Sequence, residues 1–220
     1  MNADPAIRAR RTAPKEVRRQ QLIDATIETI AQLGVSGATM AEITGRAGLS
    51  MGIVSLHFES KDNLLKCTLS FLTEELREQW SSVHADAGLG PAQKLWGIIG
   101  ANFDDAIATH AKMRAWFAFF GEARYRAFYR ETVGAYDEER VQAVEALLAA
   151  LKRDGAAVDF DPHALTQSLE GLADGLWLDT MLYPDWVSVD EARQRLWELL
   201  SIHFPDRFPR GATASIASVT

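Results

Sequence analysis

The stretch GLSMGIVSLHFESKDNLL, residues 48–65, reads as the end of one short helix, a turn, a second short helix and the start of a long one. Gly48 permits the sharp turn, Ser50 is placed to cap, and the spacing predicts a helix over 51–57 with Ile53 and Val54 inward. Ser60 is the expected cap of the next helix, residues 60–84, whose Leu64, Leu65, Leu69, Leu72 and Leu76 keep helical intervals. Upstream, Thr39 is followed three residues later by Glu42, the pattern of a capping box, with Met40, Ile43 and Ala47 as the apolar stripe. Before that, VRRQQLIDATIETIAQLG (residues 17–34) sets Ile23, Ile27, Ile30 and Leu33 at three- and four-residue intervals and stops at Gly34.

Two short helices joined by a tight glycine-containing turn form a unit that reads DNA. The second helix lies in the major groove while the first braces it across the backbone. In that frame Ser50, Met51, Gly52 and Ser55 are the exposed side of the third helix, and His57 and Lys61 stand beyond it at the height of phosphate oxygens. Met51 offers apolar contact to a thymine methyl, and Gly52 lets backbone come close. A helix pair with a purely structural role remains the alternative.

Composition narrows the classes. The 220 residues are 47% apolar and 24% charged, enough for a substantial core, and no run of about 18 apolar residues is present to span a membrane. The opening MNADPAIRARRTAPKEVRRQQ is basic but has no apolar segment behind it, so it does not read as a secretory signal and a cytoplasmic location is expected. Residues 1–63 carry a net charge of +1 and residues 64–220 a net of −8. Arg8, Arg10, Arg11, Lys15, Arg18 and Arg19 make a basic arm able to neutralise phosphates. The single cysteine, Cys67, sits among leucines and reads as a packed hydrophobe. His57, His84, His110, His163 and His203 show no metal-ligand spacing, and neither a phosphate loop nor a nucleophile constellation is visible, which argues against an enzyme and implies no cofactor.

The remainder repeats the helical grammar. Helices are expected from Gly90-Pro91, over 112–126 and 127–153, from Asp161-Pro162, and from a second capping box at Ser188 and Glu191 to just before Pro205. The fold class is therefore all-α with about nine helices. The organisation is a flexible basic arm (1–17), a helix-turn-helix domain (18–63), a ligand-binding and dimerisation body (64–204) and a small, polar, mobile tail (205–220).

Within the body, MRAWFAFFGEAR (residues 113–124) places Trp116, Phe119 and Phe120 on one face with Glu122 at its flank. SLEGLADGLWLDTML (residues 168–182) places Glu170, Asp174 and Trp177 on another. Aromatic faces with a nearby carboxylate are how proteins hold a quaternary ammonium, whose nitrogen accepts no hydrogen bond. Core packing is the competing reading for the aromatics, and a hydrogen bond to a neighbouring helix or across a dimer is the one for Asp174. Gly171, Gly175, Leu178 and Leu182, with Leu196, Leu199 and Leu200, are read as a dimeric four-helix interface.

The ordered run of RRQQLIDATIETIAQLG and ATMAEITGRAGLSMGIVSLHFESKDNLL before an all-helical remainder resembles the TetR family of one-component transcription regulators. That resemblance implies three N-terminal helices as the DNA head, a connecting fourth, a ligand-binding body, and a homodimer formed by the last two helices. It also implies that Thr39 and Met40 begin the bracing helix, that residues 50–56 are the recognition helix, and that His57 and Lys61 touch backbone. Ser55 departs from a position often filled by tyrosine, and Leu56 from one often aromatic or polar. RRQQLIDATIETI, MRAWFAFFGEAR and GLADGLWLDTML further resemble BetI-type repressors, which implies double-stranded operator DNA and a choline-like cation as partners. A regulator of an efflux system sensing bulky cationic compounds is the alternative within the same fold.

Overall fold

The computed structural model describes residues 14–220 as ten α-helices and two short 3₁₀ turns, with no strand among them. The helices are α1 (Lys15–Gly37), α2 (Met40–Ala47), α3 (Met51–Phe58), α4 (Lys61–Ala85), α5 (Pro91–Gly100), α6 (His110–Gly121), α7 (Arg126–Thr132), α8 (Gly134–Asp154), α9 (Pro162–Leu182) and α10 (Val189–His203). Of the basic arm, Arg8, Arg10 and Arg11 fall outside the described residues. Lys15, Arg18 and Arg19 belong to the first turns of α1, so the helix begins before the expected boundary.

Local chemistry sets the boundaries of the head. Gly34 adopts φ 71°, a left-handed geometry that interrupts α1 where the periodicity ends and leaves a last turn up to Gly37. Thr39 accepts a hydrogen bond from the Glu42 amide at 3.2 Å. Only this half of the expected capping box forms, because the Thr39 amide donates instead to the Gly37 carbonyl at 2.8 Å. Gly48 closes α2 with φ 65° and delivers the chain to Ser50. The Ser50 side chain makes no cap bond, and its carbonyl accepts from the Ile53 amide instead. Ser60 does cap α4, accepting from the Asn63 amide at 3.1 Å, while the Asn63 side chain donates to the Phe58 carbonyl at 2.9 Å. Leu22, Ile30, Ile43, Val54, Phe58, Leu64 and Leu65 form the core of the head. Leu33, counted on the inward stripe from the sequence, is 50% exposed because the helix breaks one residue later.

The body corrects three expectations. The segment read as one helix over 127–153 is two, α7 and α8, separated at Val133, whose backbone angles stay helical, which makes ten helices where about nine are expected. Leu196 and Leu200 are fully buried inside the protomer, so they are core; the outward apolar residues are Leu178, Leu182 and Ile202. Residues 205–220 pack back on α10 in place of projecting as a tail. Trp197 donates from Nε1 to the Pro209 carbonyl at 2.9 Å, Gln194 and Arg193 donate to the carbonyls of Ala212 and Ala214, and Phe208 is fully buried against Trp197 at 5.1 Å between ring centres. Small, polar composition hid this because the segment's anchors are two aromatic side chains and a row of backbone carbonyls. Trp96 meets Trp197 edge to face at 5.2 Å, extending the same core into α5. Replacing Phe208 with alanine removes the anchor from this core and is expected to cost about 3–5 kcal/mol, read as a lowered urea midpoint; a midpoint unchanged from the parent would show the segment to be unpacked.

Candidate effector cavity and nucleic-acid interface

A cavity of about 380 Å³ lies within the body between α4, α6, α7, α8 and α9. Among the sequence-predicted residues, Trp116, Phe120, Glu170, Asp174 and Trp177 all line it. Two do not. Phe119 is buried one residue round the helix from Phe120, edge to face with Tyr125 at 6.0 Å, and belongs to the core. Glu122 lies past the end of α6 in extended backbone, so it leaves the helical face that carries Trp116 and Phe120.

The aromatic wall is larger than the sequence reading. Trp116, Phe120 and Tyr129 pack at mutual centre distances of 5.0–6.2 Å, with Tyr129 edge-on to both partners. Trp177 is fixed by donating from Nε1 to the Asn102 carbonyl at 2.6 Å, so its ring presents a set face. Trp80 and Tyr136 complete the aromatic lining. Tyr129, Val133, Tyr136, Asp137 and Arg140 all line the cavity at intervals of four, three, one and three residues. That stripe lies within the single helix expected over 127–153, so its spacing is visible in the sequence; its mixed tyrosine, valine, aspartate and arginine composition keeps it from standing out as an apolar face.

The polar wall holds one buried cation and three carboxylates. Arg140, with its side chain 10% exposed, binds Glu170 through both terminal nitrogens, one bond measuring 2.9 Å, and stands 3.8 Å from Asp137. Burial pushes the Asp137 carboxyl above its ordinary range, opposed by Arg140 and reinforced by Glu170 and Asp174. The Asp174 carboxyl is raised as well, by desolvation at the cavity and by Glu170, with Arg140 opposing them, although the residue as a whole is exposed on α9. Burial also drives the Tyr129 hydroxyl upward, so it stays a neutral phenol. With Arg77 also on the lining, two arginines face three carboxylates, and this surplus beside aromatic faces suits an organic cation.

In the head, Met51, Gly52, Ser55 and Leu56 are the outward side of α3, with Met51 60% and Leu56 69% exposed. Ser50 is exposed just before them, Thr39 and Met40 begin α2, and Lys61 begins α4. Leu56 is a further outward apolar residue on the same exposed side as Met51 and Ser55. His57 is half-buried at the end of α3, and neither ring nitrogen has a hydrogen-bond partner among the described residues. Burial and then the positive charges of Lys15, Arg18 and Arg19 depress its pKa, while Glu16 opposes them. Arg19 lies over the Phe58 ring at 4.6 Å, so the basic start of α1 and the end of α3 form one positive corner. Tyr125, in the α6–α7 turn, donates to Asp62 in the first turn of α4 at 2.8 Å and joins body to head. That bond and burial hold the phenol at about 12, burial being the larger cause, and the bond also lowers Asp62.

Comparison with known proteins agrees with both halves. Residues 22–67 match the tetR family of bacterial regulatory proteins. Residues 91–204 match the C-terminal domain of BetI-type transcriptional repressors. The chain is 32% identical over 193 residues to the HTH-type transcriptional regulator BetI of Escherichia coli K12, covering 87% of this chain and 96% of that one. It is 34% identical over 169 residues to the BetI regulator of Burkholderia thailandensis, covering 74% and 82%. Among solved structures, a putative transcriptional regulator from Pseudomonas aeruginosa PAO1 superposes with a TM-score of 0.65 at 26% identity, covering 86% of this chain and 91% of that one. One from Saccharomonospora viridis, solved in complex with choline, superposes at 0.71 with 19% identity, covering 84% and 96%, a likeness of fold. The chain belongs to the TetR family of helix-turn-helix transcriptional regulators. Within it, the body is of the BetI repressor type, and the protein is a regulator and not an enzyme.

The raised carboxyls give the cavity a pH signature. A bound cation favours ionised Asp137 and Asp174, whose folded pKa values lie above the ordinary 3.8, so binding expels protons. Tetramethylammonium affinity is therefore expected to fall as pH drops from 7 toward those raised values, with buffer-dependent calorimetric heat. An affinity that stays flat down through the pH at which Asp137 and Asp174 protonate, followed by NMR on the free protein, would show that neither carboxylate senses the ligand.

Proposed function

We propose that this chain is a homodimeric repressor released from a near-palindromic operator when choline, or a closely related quaternary ammonium, occupies the body cavity. The observation that carries the reading is the pairing of Trp116, Phe120, Tyr129 and Trp177 with a carboxylate excess around Arg140. The choline complex of the Saccharomonospora viridis regulator supports the same chemistry on the same fold. The volume of about 380 Å³ stands near the lower end of the 300–1,000 Å³ that drug-sized ligands need, which favours a small cation over the bulky compounds of an efflux regulator.

The dimer is assigned to α9 and α10. Gly171, Gly175, Leu178 and Leu182 run along an exposed stripe of α9, and Ile202 is the exposed apolar residue of α10. Two-fold pairing there places the two α3 helices in successive major grooves about 34–36 Å apart. Ser50, Met51, Gly52 and Ser55, together with Leu56, face the base edges. Thr39, Met40, His57 and Lys61 approach the backbone, His57 as a neutral imidazole able to donate one bond to phosphate.

Choline titrated calorimetrically beside its uncharged carbon isostere tests the effector. Saturable binding of choline alone is expected, weakened about tenfold or more by Asp174→Asn, on the order of 1.4 kcal/mol for one partly screened charge. Equal binding of the isostere would return the rings to a packing role. For the head, Lys61→Ala is expected to weaken binding to every duplex about equally and to lower the salt slope by about one. Met51→Ala should instead change the preferred sequence, and an unchanged slope for Lys61→Ala would remove that lysine from the backbone contacts.

A further inference from the structure

The cavity has a second arginine, and it is held differently from Arg140. Arg77 of α4 lines the cavity with its guanidinium carbon 5.2 Å from the centre of the Tyr136 ring, which lines the same space. It bonds Glu139 of α8 at 3.3 Å and Glu74 on its own helix at 3.3 Å. Its side chain is 34% exposed, against 10% for Arg140, and its contacts are single bonds where Arg140 is gripped through both nitrogens. Arg77 is therefore the cation that can leave at low cost, since water takes over partly exposed bonds that a buried guanidinium would lose outright.

We propose that Arg77 is a built-in competitor of the effector: it sits over the Tyr136 ring and is displaced by an ammonium ion that enters the cavity. The proposal rests on the reading of the cavity as an ammonium site and adds to it a selectivity residue and a route. Two positive groups cannot share one ring face without mutual repulsion, so ligand and Arg77 exclude each other. The clasp from Arg77 to Tyr136 and Glu139 ties α4 to α8, and only two residues separate the end of α3 from the start of α4. Displacing Arg77 frees α4 from α8 at the cavity, and the other end of α4 carries that freedom to the DNA-facing helix.

The test compares the parent with Arg77→Met, which keeps length and apolar bulk, and Arg77→Lys, which keeps the charge. Choline affinity is measured by calorimetry, and amide hydrogen exchange over residues 70–85 is measured with and without choline. Arg77→Met is expected to bind choline about three- to tenfold tighter, with Arg77→Lys close to the parent. Choline should raise exchange along α4 in the parent, whereas in Arg77→Met the exchange should be raised already and insensitive to choline. Parent-like affinity and an intact exchange response in Arg77→Met would overturn the role of Arg77 while leaving the ammonium site standing. No choline binding by any of the three proteins would overturn the site and the competitor together.

Discussion

A guanidinium nine-tenths buried between α8 and α9 must be answered by carboxylate, and the body is arranged around that answer. Glu170 meets Arg140 with both oxygens, and breaking such a pair from one side strands an ion at a cost of roughly 3–5 kcal/mol. One carboxylate would be enough to balance the charge. Asp137 and Asp174 stand close by in addition, and burial raises both because nothing else nearby neutralises them. The ion pair thus locks two helices together, while the carboxylates of the lining outnumber its arginines. Under the proposed reading, the rings of Trp116, Phe120, Tyr129 and Trp177 would offer their faces to a quaternary ammonium there.

The walls of the cavity are also the supports of the head. α6 turns Trp116 and Phe120 to the cavity, and α1 packs more extensively on α6 than on any other helix. α4 contributes Thr73, Leu76, Arg77 and Trp80 to the lining and begins directly behind α3. Tyr125 pins the turn after α6 to the start of α4 through Asp62. A change at the lining therefore reaches both the innermost helix of the head and the helix that presents its reading surface. An effector that turns a 99:1 population of binding-competent protein into 1:99 must prefer the released form by about 10⁴-fold, roughly 5.5 kcal/mol. Ring contacts of about 0.5–2 kcal/mol each reach that sum only together with the carboxylates.

The head was legible residue by residue because its signals are local. The glycine turn, the Ser60 cap and most of the Ile, Val and Leu intervals act within four residues and fall where the sequence puts them, whereas Leu33 turns outward, Ser50 forms no side-chain cap and the Thr39–Glu42 box forms by half, because the backbone at those helix ends takes other partners. The cavity was legible by helix and not by contact. Trp116, Phe120, Glu170, Asp174 and Trp177 were found from two faces, whereas Phe119 and Glu122 were misplaced because a one-residue rotation and an early helix end decide which side chains turn inward. Tyr129, Tyr136, Asp137 and Arg140 escape a sequence reading because their stripe mixes aromatic and charged side chains, and nothing local to the helix says that this mixed face turns to the cavity. The burial of residues 205–220 depends on Trp197 and Phe208, which lie 11 residues apart and meet only once the tertiary fold forms.

The distribution of charge limits how occupancy can act on DNA. The first 63 residues are nearly neutral at +1 and the rest carries −8, so the body as a whole is repelled by the duplex and the head must make the contact. A bound cation removes one unit of that repulsion, which by itself would strengthen DNA binding and could not release it. The distance also matters: from Lys61 to Arg77, α4 rises roughly 24 Å at 1.5 Å per residue, about three Debye lengths of roughly 8 Å at physiological salt. A single charge is screened out over that span. If a cation in the cavity releases DNA, as proposed, its charge alone cannot do so, and the change would have to pass mechanically along α4 and through α6 to α1, with the carboxylates around Arg140 acting on the ligand and the helices on the head.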